Sequence, residues 1–559
     1  MLFLFLHLLY LPLVLSQSFE NFEPEDDYLD DGVMTKDGTR IMGRSTIFFS
    51  QVARAYLGIP YAKPPVGELR FKKPEPLEPK NGGVFIADTM PPACVQHSRI
   101  NLPWYDSGEG QSEDCLYLNI WTGRFPPKKL QVPVLFWIYG GEFSVGSNRL
   151  DATDGTQLSV IGTSVVVSPN YRVGPMGFLS SGTEDAPGNV GIHDLIMALQ
   201  WTKDHIDAFG GDPDRIAIMG QGSGSVTVSL FLLSPLTKGL YSRAIMQSGS
   251  LVGNVHVDPN RHNLKLGQRL AEEVGCADEN KTLKAEPEMV VECLRTKDAL
   301  KLAEIVSSFD PLSTRAFLPQ YKDDFLPNDP VEDLKNKNFH PVPLLIGNTH
   351  DEGTYLLTTR NQYLFGPAGE NDPKISKPTG TDLLRRTFAH MPDPDAVVDQ
   401  YLGDVDDDDY HKIRRQVANA LGDYATVCPS VFFAEKYSNT TEKNNTLYYV
   451  FDQRPSDSIW APWMGVTFYD EVKFVFGRYL EGYDYERMNR EYTGELGMAQ
   501  FTMETWGDFA KDGRPFHEWK NFTSTHHQYL LIKNQAPKKM RGPGPHLDNC
   551  NFFRQHFGM

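Results

Sequence analysis

The sequence lacks several features that mark particular classes of protein. It has no C-x-x-C pair and no cluster of histidines and cysteines, so no metal site is expected, and nothing indicates another cofactor. It has no excess of basic residues, since 54 lysines and arginines face 72 aspartates and glutamates, a net charge of −18. That charge repels phosphate, so nucleic acid is not an expected partner. No internal repeat occurs, and the mean hydropathy of −0.38 excludes a polytopic membrane protein.

The N-terminus is strongly apolar. Residues 1–16, MLFLFLHLLYLPLVLS, are short for a membrane span of about 20 residues and are typical of a secretory signal peptide. The alternative is an N-terminal membrane anchor. No later apolar run approaches about 18 residues, and the C-terminal HFGM has no hydrophobic tail, so no transmembrane or lipid anchor is expected after the domain. The chain is therefore expected to be secreted and extracellular.

Residues 17–40 form a second segment, which is rich in acidic side chains. Such a run cannot bury a core and is predicted to be a solvated tail. It contains Tyr28, whose acidic neighbours favour tyrosine sulfation; the alternative is an unmodified, exposed tyrosine. From residue 41 the composition is globular, and 41–559 is predicted to be one large domain.

Secretion bears on the cysteines and on the glycosylation sequons. An even number of cysteines in an exported chain predicts disulfides, and six cysteines allow 15 pairings. The cysteines are Cys94, Cys115, Cys276, Cys293, Cys428 and Cys550. The N-x-S/T sequons, which predict glycosylation, are at Asn280, Asn439, Asn444 and Asn521.

Buried strands alternate with helices along the globular part. Continuous apolar runs predict the strands, and apolar residues at helical spacing predict the helices. The predicted strands cover 133–139, 164–172, 215–220 and 341–347, and the predicted helices cover 192–209 and 226–233. This alternation predicts an α/β fold with a parallel, helix-covered sheet.

The turn between the third of these strands and the second helix has the pattern of a nucleophile elbow. In G-x-S-x-G, a serine stands on a sharp strand-to-helix turn between two glycines. Here the turn reads GQGSG over 220–224, so both outer glycines are present but the central position holds Gly222. Ser223 lies one residue later.

Longer motifs resemble the cholinesterase/carboxylesterase family of α/β-hydrolases, from about residue 41 to the C-terminus. EDCLYLNIW (113–121) is similar to the family's cysteine signature, and FGGDPDRIAIMGQGSG (209–224) to its active-site signature without the serine. YLGIPYAKPPVGELRF (56–71) and NVGIHDLIMALQW (189–201) are also similar. The resemblance implies an α/β-hydrolase fold, with a large, mostly parallel central sheet and helices on both faces.

The resemblance also places the residues of an acyl-transfer site, which needs a nucleophile, a base, an acid that orients the base, and donors for the oxyanion. THDEGTYLL (349–357) supplies the acid as Glu352. The base belongs to a G-V-x-H segment, and GVTFYDE (465–471) has Phe468 in that position. Since the nucleophile position is Gly222, the implied triad is degenerate.

The oxyanion turn is altered too, because the family's Y-G-G-G-F reads YGGEF here. The implied oxyanion-hole positions are Gly140, Gly141, Glu142 and Ser223. A carboxylate beside a developing oxyanion opposes catalysis, and loss of the nucleophile or base alone costs several powers of ten in rate. We therefore predict that the chain is not an enzyme. The alternative is residual esterase activity through a shifted Ser223.

Family members that lost the serine, such as neuroligins, neurotactin and gliotactin, act in adhesion or recognition. The resemblance thus implies a secreted, catalytically inactive, cholinesterase-like glycoprotein that binds an extracellular protein partner. The alternatives are a secreted carboxylic-ester hydrolase with an atypical site and a soluble carrier of an apolar ligand. Family members often dimerise near the C-terminal region, so a homodimer is a further expectation.

The resemblance finally implies specific pairs of side chains. The implied disulfides are Cys94–Cys115, Cys276–Cys293 and Cys428–Cys550, and the implied ion pairs are Arg70–Glu113 and Arg172–Asp194. Trp104 and Tyr105 lie near the position where cholinesterases have a choline-stacking aromatic. These two rings could form a platform that binds a ligand; the alternative is that they only pack against neighbouring side chains.

Overall fold

The computed structural model of the chain covers its globular part. The described residues are 32–48, 51–78, 82–100, 102–105, 110–123, 131–254, 258–309, 317–438, 445–478, 494–534 and 537–559. The predicted signal peptide, Tyr28, Asn439 and Asn444 lie outside these residues. Two short strands occur within 32–42, so sheet structure begins inside the segment predicted as a tail.

The secondary structure alternates in the predicted manner. The strands are β1 (Gly32–Met34), β2 (Thr39–Met42), β3 (Arg44–Phe48), β4 (Gln51–Pro60), β5 (Gly83–Ile86), β6 (Ala93–Cys94), β7 (Gln111–Ser112), β8 (Tyr117–Thr122), β9 (Val132–Ile138), β10 (Val165–Pro169), β11 (Ser180–Thr183), β12 (Ala186–Pro187), β13 (Gly211–Gln221), β14 (Arg243–Gln247), β15 (Leu344–Thr349), β16 (Thr446–Phe451), β17 (Tyr529–Ile532) and β18 (Lys539–Arg541). The α-helices are α1 (Thr156–Ile161), α2 (Gly174–Phe178), α3 (Val190–His205), α4 (Ser223–Phe231), α5 (Pro259–Glu273), α6 (Pro287–Arg295), α7 (Ala299–Phe309), α8 (Pro330–Lys335), α9 (Gly353–Arg360), α10 (Gln362–Phe365), α11 (Lys377–Thr387), α12 (Pro394–Leu402), α13 (Tyr410–Gly422), α14 (Cys428–Ser438), α15 (Val472–Val475), α16 (Glu495–Asp512) and α17 (Leu547–Arg554). Within the described ranges, no helix is long and apolar enough to cross a membrane.

The central sheet has 11 strands in the order β18-β17-β16-β15-β14-β13-β9-β10-β8-β4-β3. From β10 to β17 all neighbours are parallel, whereas the pairs at both edges are antiparallel. The predicted large α/β sheet is confirmed, and it is mixed, with a parallel centre. Its centre carries the elbow, because β13 lies between β9 and β14.

The predicted strands and helices of this centre are confirmed as β9, β10, β13, β15, α3 and α4. Every residue of β9 and of β15 is buried. Strands that are covered on both faces read as continuous apolar runs, which is why the sequence revealed them. The helix α4 follows β13 directly and packs on β13 and β14. Because the elbow joins the end of β13 to the start of α4, it lies at the carboxyl end of the parallel strands.

Covalent and ionic pairs hold the layers together. The three implied disulfides are confirmed as Cys94–Cys115, Cys276–Cys293 and Cys428–Cys550. The last of them joins α14 to α17 across 122 residues, and a loop of that length corresponds to about 4–5 kcal/mol in the chain-entropy account. The implied ion pairs are also confirmed. In the buried pair, the guanidinium of Arg172 donates to both carboxylate oxygens of Asp194, at 2.8 and 2.7 Å.

Candidate functional site

The elbow is built as the sequence predicts. Strand β13 ends at Gln221 and α4 begins at Ser223, so Gly222 alone makes the turn, with φ +58° and ψ −121°. These are angles that side-chain-bearing residues adopt only under strain. The turn also packs tightly, because a Cβ on Gly224 would lie 2.0 Å from the carbonyl oxygen of Ile138.

Phe468 lies directly beside this turn. Its Cζ would be 2.9 Å from a Cβ built on Gly222, closer than real Cβ contacts. The ring stacks on Tyr355, with centroids 4.7 Å apart, and meets the edge of Trp104 at 5.3 Å. The position that the resemblance gives to the base is therefore filled by a buried aromatic ring that touches the position given to the nucleophile. Trp104 packs in this cluster and is 3% exposed.

Ser223 is the first residue of α4, and its hydroxyl faces the altered oxyanion turn. The backbone N–H of Phe143 donates to its Oγ at 3.3 Å. Burial raises the pKa of Tyr171, and a hydrogen bond with Ser223 opposes that rise only in part. The phenol of Tyr171 donates to the carbonyl of Tyr139 at 2.9 Å. Tyr171 therefore keeps its proton near neutral pH and cannot serve Ser223 as a base.

The oxyanion turn has backbone angles that favour glycine, although it carries Glu142. Glu142 occupies the place of a glycine with φ +58°, a region that glycine favours, and the preceding Gly141 has φ +114°. The backbone therefore follows the path expected of glycine while carrying a carboxylate. Glu142 lines the cavity beside Gly222.

Glu352, the predicted acid, is buried at the end of β15. Its Oε1 accepts hydrogen bonds from Ser248 Oγ at 2.6 Å and from the N–H of Thr349 at 2.7 Å. Burial raises its pKa to about 7. A second carboxyl group, Glu471, is fully buried, and burial followed by repulsion from Glu352 raises its pKa to about 8. Neither carboxyl group has an ion-pair partner within the described part of the chain.

These buried carboxyl groups should make the protein less stable as the pH rises. Their pKa values in the folded protein lie above the ordinary 4.5, so the folded state binds more protons than the unfolded state between about pH 4.5 and 8. Unfolding followed by denaturant at pH 5.5 and 8 should show a falling free energy, by up to about 1.4 kcal/mol per pH unit for each group. Glu471→Gln should flatten this slope, whereas Glu504→Gln, on the exposed side of α16, should not. An unchanged slope in Glu471→Gln would show that Glu471 does not titrate there.

Four of the predicted triad and oxyanion-hole positions line one cavity of about 110 Å³, whereas Gly140 and Gly141 are not among its lining residues. Glu142, Gly222, Ser223 and Phe468 line it, and Glu352 is buried against Ser248, which lines it as well. A larger cavity of about 300 Å³ shares only two of its lining residues and lies beside it. The described residues contain no group of three or more His, Cys, Asp or Glu placed to bind a metal ion.

Several residues of the site were not predicted, and three of them bear on its chemistry. Ser248 orients Glu352, Glu471 adds the second buried carboxyl group, and Arg360 lines the cavity from the end of α9. Glu471 had a signal, since it lies three residues after Phe468 in a segment aligned with the family's base. Ser248 and Arg360 had no such signal in the sequence, because only the fold brings them to the elbow.

Comparison with known proteins gives the family. The carboxylesterase family profile matches residues 30–552. The chain is 36% identical to acetylcholinesterase-1 of Trittame loki over 557 residues, which cover 96% of each chain. It is 35% identical to the cholinesterase of Mus musculus over 575 residues, which cover 99% of this chain and 90% of the mouse protein. It is 34% identical to the acetylcholinesterase of Bungarus fasciatus over 90% of this chain and 83% of that one.

The prediction that the chain is not an enzyme is wrong. Four curated relatives at 32–36% identity over most of the chain are named acetylcholinesterase or cholinesterase, and this points to an enzyme. The prediction rested on Gly222, Phe468 and Glu142, and on the analogy with family members that lost the serine. Its physical weakness is that oxyanion donors and substrate binding still accelerate a reaction when triad members are lost. With its 11-stranded sheet, its elbow and these relatives, the chain belongs to the carboxylesterase family of α/β-hydrolases, which includes the cholinesterases.

Proposed function

We propose that this chain is a secreted carboxylic-ester hydrolase with an atypical site, in which Ser223 supplies the attacking hydroxyl. The observation that carries the proposal is the hydrogen bond from the N–H of Phe143 to Ser223 Oγ at 3.3 Å. It holds a hydroxyl group against the turn that stabilises an oxyanion in this family. The names of the relatives, cholinesterase and acetylcholinesterase, support an ester as substrate.

In the proposed reaction, Ser223 Oγ attacks the ester carbonyl and the alcohol leaves, so that an acyl-serine forms. Backbone N–H groups of the oxyanion turn and of the first turn of α4 stabilise the developing negative charge. Because position 468 carries no imidazole, the proton of Ser223 passes to solvent water, and the leaving alkoxide takes a proton from solvent water to become the alcohol. Water later hydrolyses the acyl-serine to the free acid and restores the hydroxyl of Ser223. The rate should therefore lie several powers of ten below that of an intact triad, and Glu142 in the oxyanion turn should lower it by about a further 10²–10³-fold.

The Ser223→Ala variant should lose most of this activity. Removal of the hydroxyl leaves only direct attack by water, and we expect hydrolysis of a short-chain aryl ester to fall at least about tenfold. The matched control is Ser229→Ala on the same helix, whose hydroxyl donates to the carbonyl of Val226. Equal rates for wild type and Ser223→Ala, both corrected for the buffer reaction, would contradict the proposed role of Ser223.

A second candidate function is recognition or adhesion through an extracellular protein partner. The observation that favours it is the closed aromatic cluster of Phe468, Tyr355 and Trp104, which fills the space beside the elbow. Binding by the surface of the domain does not depend on Ser223. Cross-linking of the glycosylated protein on intact cells, compared between wild type and Ser223→Ala, separates this function from hydrolysis, because partner capture should survive the substitution.

Secretion, glycosylation and dimerisation complete the proposal. Asn280 and Asn521 are exposed, as glycan acceptors must be. The three disulfides are typical of an oxidising, extracellular compartment. A homodimer and the state of the other two sequons are part of the same proposal, and the mass of the intact secreted protein tests them.

A further inference from the structure

A further cavity lies between the N-terminal strands and the helix α3. Its volume is about 390 Å³, and its lining residues come mainly from β2, β4, β5 and α3. The strands β1, β2 and β5 form a small sheet of their own, apart from the central sheet. None of the lining residues also lines the cavity at the elbow. Since ligand pockets in proteins measure about 300–1,000 Å³, this cavity has the size of a small-molecule site.

The interior of the cavity is apolar. From α3, Met197 and Trp201 line it together with Gln200 and Asp204. These four positions are spaced three or four residues apart and therefore lie on one side of the helix. Further apolar lining residues are Ile41, Ile59, Leu77 and Phe85. An alkyl chain placed among these side chains would be removed from water, which favours its binding.

The cavity is bordered by acidic side chains. Among its described lining residues, those of the types Asp, Glu, Lys and Arg are all acidic, namely Asp37, Glu78 and Asp204. The lysines nearby are paired with carboxylates. Lys36 lies 3.2 Å from Asp207, and Lys63 is shared between Glu75 at 3.1 Å and Glu78 at 3.2 Å. The paired lysines leave an excess of negative charge at the cavity.

A backbone contact brings two of these acids to the same end of α3. The Nζ of Lys36 donates to the carbonyl oxygen of Asp204 at 2.9 Å, and Asp37 is the next residue in sequence. The N–H of Thr39 donates to Asp37 at 3.1 Å, and Nε2 of Gln200 donates to both carboxylate oxygens of Asp204 at 3.0 Å. Asp204 lies in the last turn of α3, where the helix dipole disfavours a negative charge, so the dipole does not account for its presence.

His205 adds an unsatisfied polar atom to the same lining. Its Nδ1 is buried, and no described atom forms a hydrogen bond with it. Burial lowers the pKa of His205, so its imidazole is neutral near neutral pH. A neutral imidazole can accept a hydrogen bond at one of its ring nitrogens. The cavity therefore offers two carboxylates and an acceptor nitrogen, which suit a ligand that carries a positive charge and N–H donors.

We propose that this cavity binds a protonated primary alkylamine, with its ammonium group at Asp37 and Asp204 and its chain between α3 and the small sheet. The volume of about 390 Å³ equals that of about 13 water molecules in the liquid, which suits a chain of about eight carbons. This goes beyond the proposed function, because the site uses neither the elbow nor the hydroxyl of Ser223.

Octylammonium is the probe, and octan-1-ol and octanoate are its neutral and anionic counterparts. Calorimetry on the full chain should show that octylammonium binds at least about tenfold more tightly than octan-1-ol, and that octanoate binds most weakly, because only the amine forms charge-assisted hydrogen bonds with the carboxylates. Butylammonium should bind more weakly than octylammonium, by about fourfold for each methylene removed, if the chain is buried.

The double variant Asp37→Asn/Asp204→Asn locates the ammonium group. It should weaken octylammonium binding at least about tenfold and leave octan-1-ol binding unchanged. The control Asp408→Asn removes an exposed aspartate that does not line the cavity and should have no effect. Glu142→Gln changes the cavity at the elbow, so it should leave the affinity for octylammonium unchanged.

Four results would overturn the proposal. They are no binding of octylammonium to the wild type, equal or tighter binding of octan-1-ol or octanoate, an unchanged affinity in the double variant, and a loss in Glu142→Gln as large as that in the double variant. If the double variant is poorly folded, Asp204→Asn alone and the dependence on salt carry the test, since higher ionic strength should weaken octylammonium binding but not octan-1-ol binding. Ester hydrolysis, whether present or absent, does not affect these binding results.

Discussion

The triple variant Gly222→Ser/Phe468→His/Glu142→Gly is expected to hydrolyse a short-chain aryl ester several powers of ten faster than the wild type. It restores the nucleophile, the base and the oxyanion glycine, and the predicted acid, Glu352, is retained in the sequence. Loss of a nucleophile or base costs about 10⁴-fold or more, and loss of one oxyanion donor about 10²–10³-fold. The steady-state rate of each variant at one ester concentration measures the effect.

The single and double variants show which position matters most. Gly222→Ser alone should hydrolyse the ester little faster than the wild type, because its serine has no base and its Cβ meets the Phe468 ring at 2.9 Å. Gly222→Ser/Phe468→His should gain more, and Gly222→Ser/Phe468→Leu is its matched control, which removes the ring without adding an imidazole. If Gly222→Ser alone matched the triple variant, position 468 would not be that of the base.

Gly222→Ser should also lower the stability of the protein. Backbone strain at φ +58° costs about 1–3 kcal/mol in a residue with a side chain, and overpacking against the Phe468 ring adds about 1–3 kcal/mol. The free energy of unfolding, from denaturant titration, measures the sum. The cost should be smaller in a Phe468→Leu background, because only the strain remains.

Gly239→Ser is the control that separates the two causes. Gly239 also has a positive φ, +85°, but a Cβ there would meet nothing within 4 Å. Its substitution should therefore show strain without overpacking. Equal losses for Gly222→Ser in the wild-type and Phe468→Leu backgrounds would contradict the contact between positions 222 and 468.

Much of the fold could be predicted because its signals are local. The buried strands β9 and β13 and the helix α3 have apolar patterns that periodicity reveals, and the glycines of the elbow mark a sharp turn. The N-terminal strands β1 and β2 were missed because they are short and partly exposed. Charge alone predicted a solvated tail up to residue 40, whereas β1 begins at Gly32.

The sequence predicted only those site residues that belong to a recognisable motif. Gly222, Glu352 and Phe468 were identified by position, but the contact between Gly222 and the Phe468 ring joins residues that lie far apart in sequence and that only the sheet brings together. Arg360 belongs to no motif, and its place on the cavity wall depends on the direction of α9. Function was the weakest inference, because missing triad members say how slow a reaction is, not that it is absent.

The central claim, that Ser223 carries the ester chemistry of this site, is tested most directly by trapping. Wild-type protein is incubated with a fluorophosphonate, which phosphonylates nucleophilic hydroxyl groups and does so slowly where no base assists them, and the adduct is mapped by mass spectrometry of the digested protein. The proposed function predicts slow formation of an adduct on Ser223 that is lost in Ser223→Ala and retained in Ser229→Ala. Ester turnover without an adduct on Ser223, or with an adduct on another residue, would contradict it.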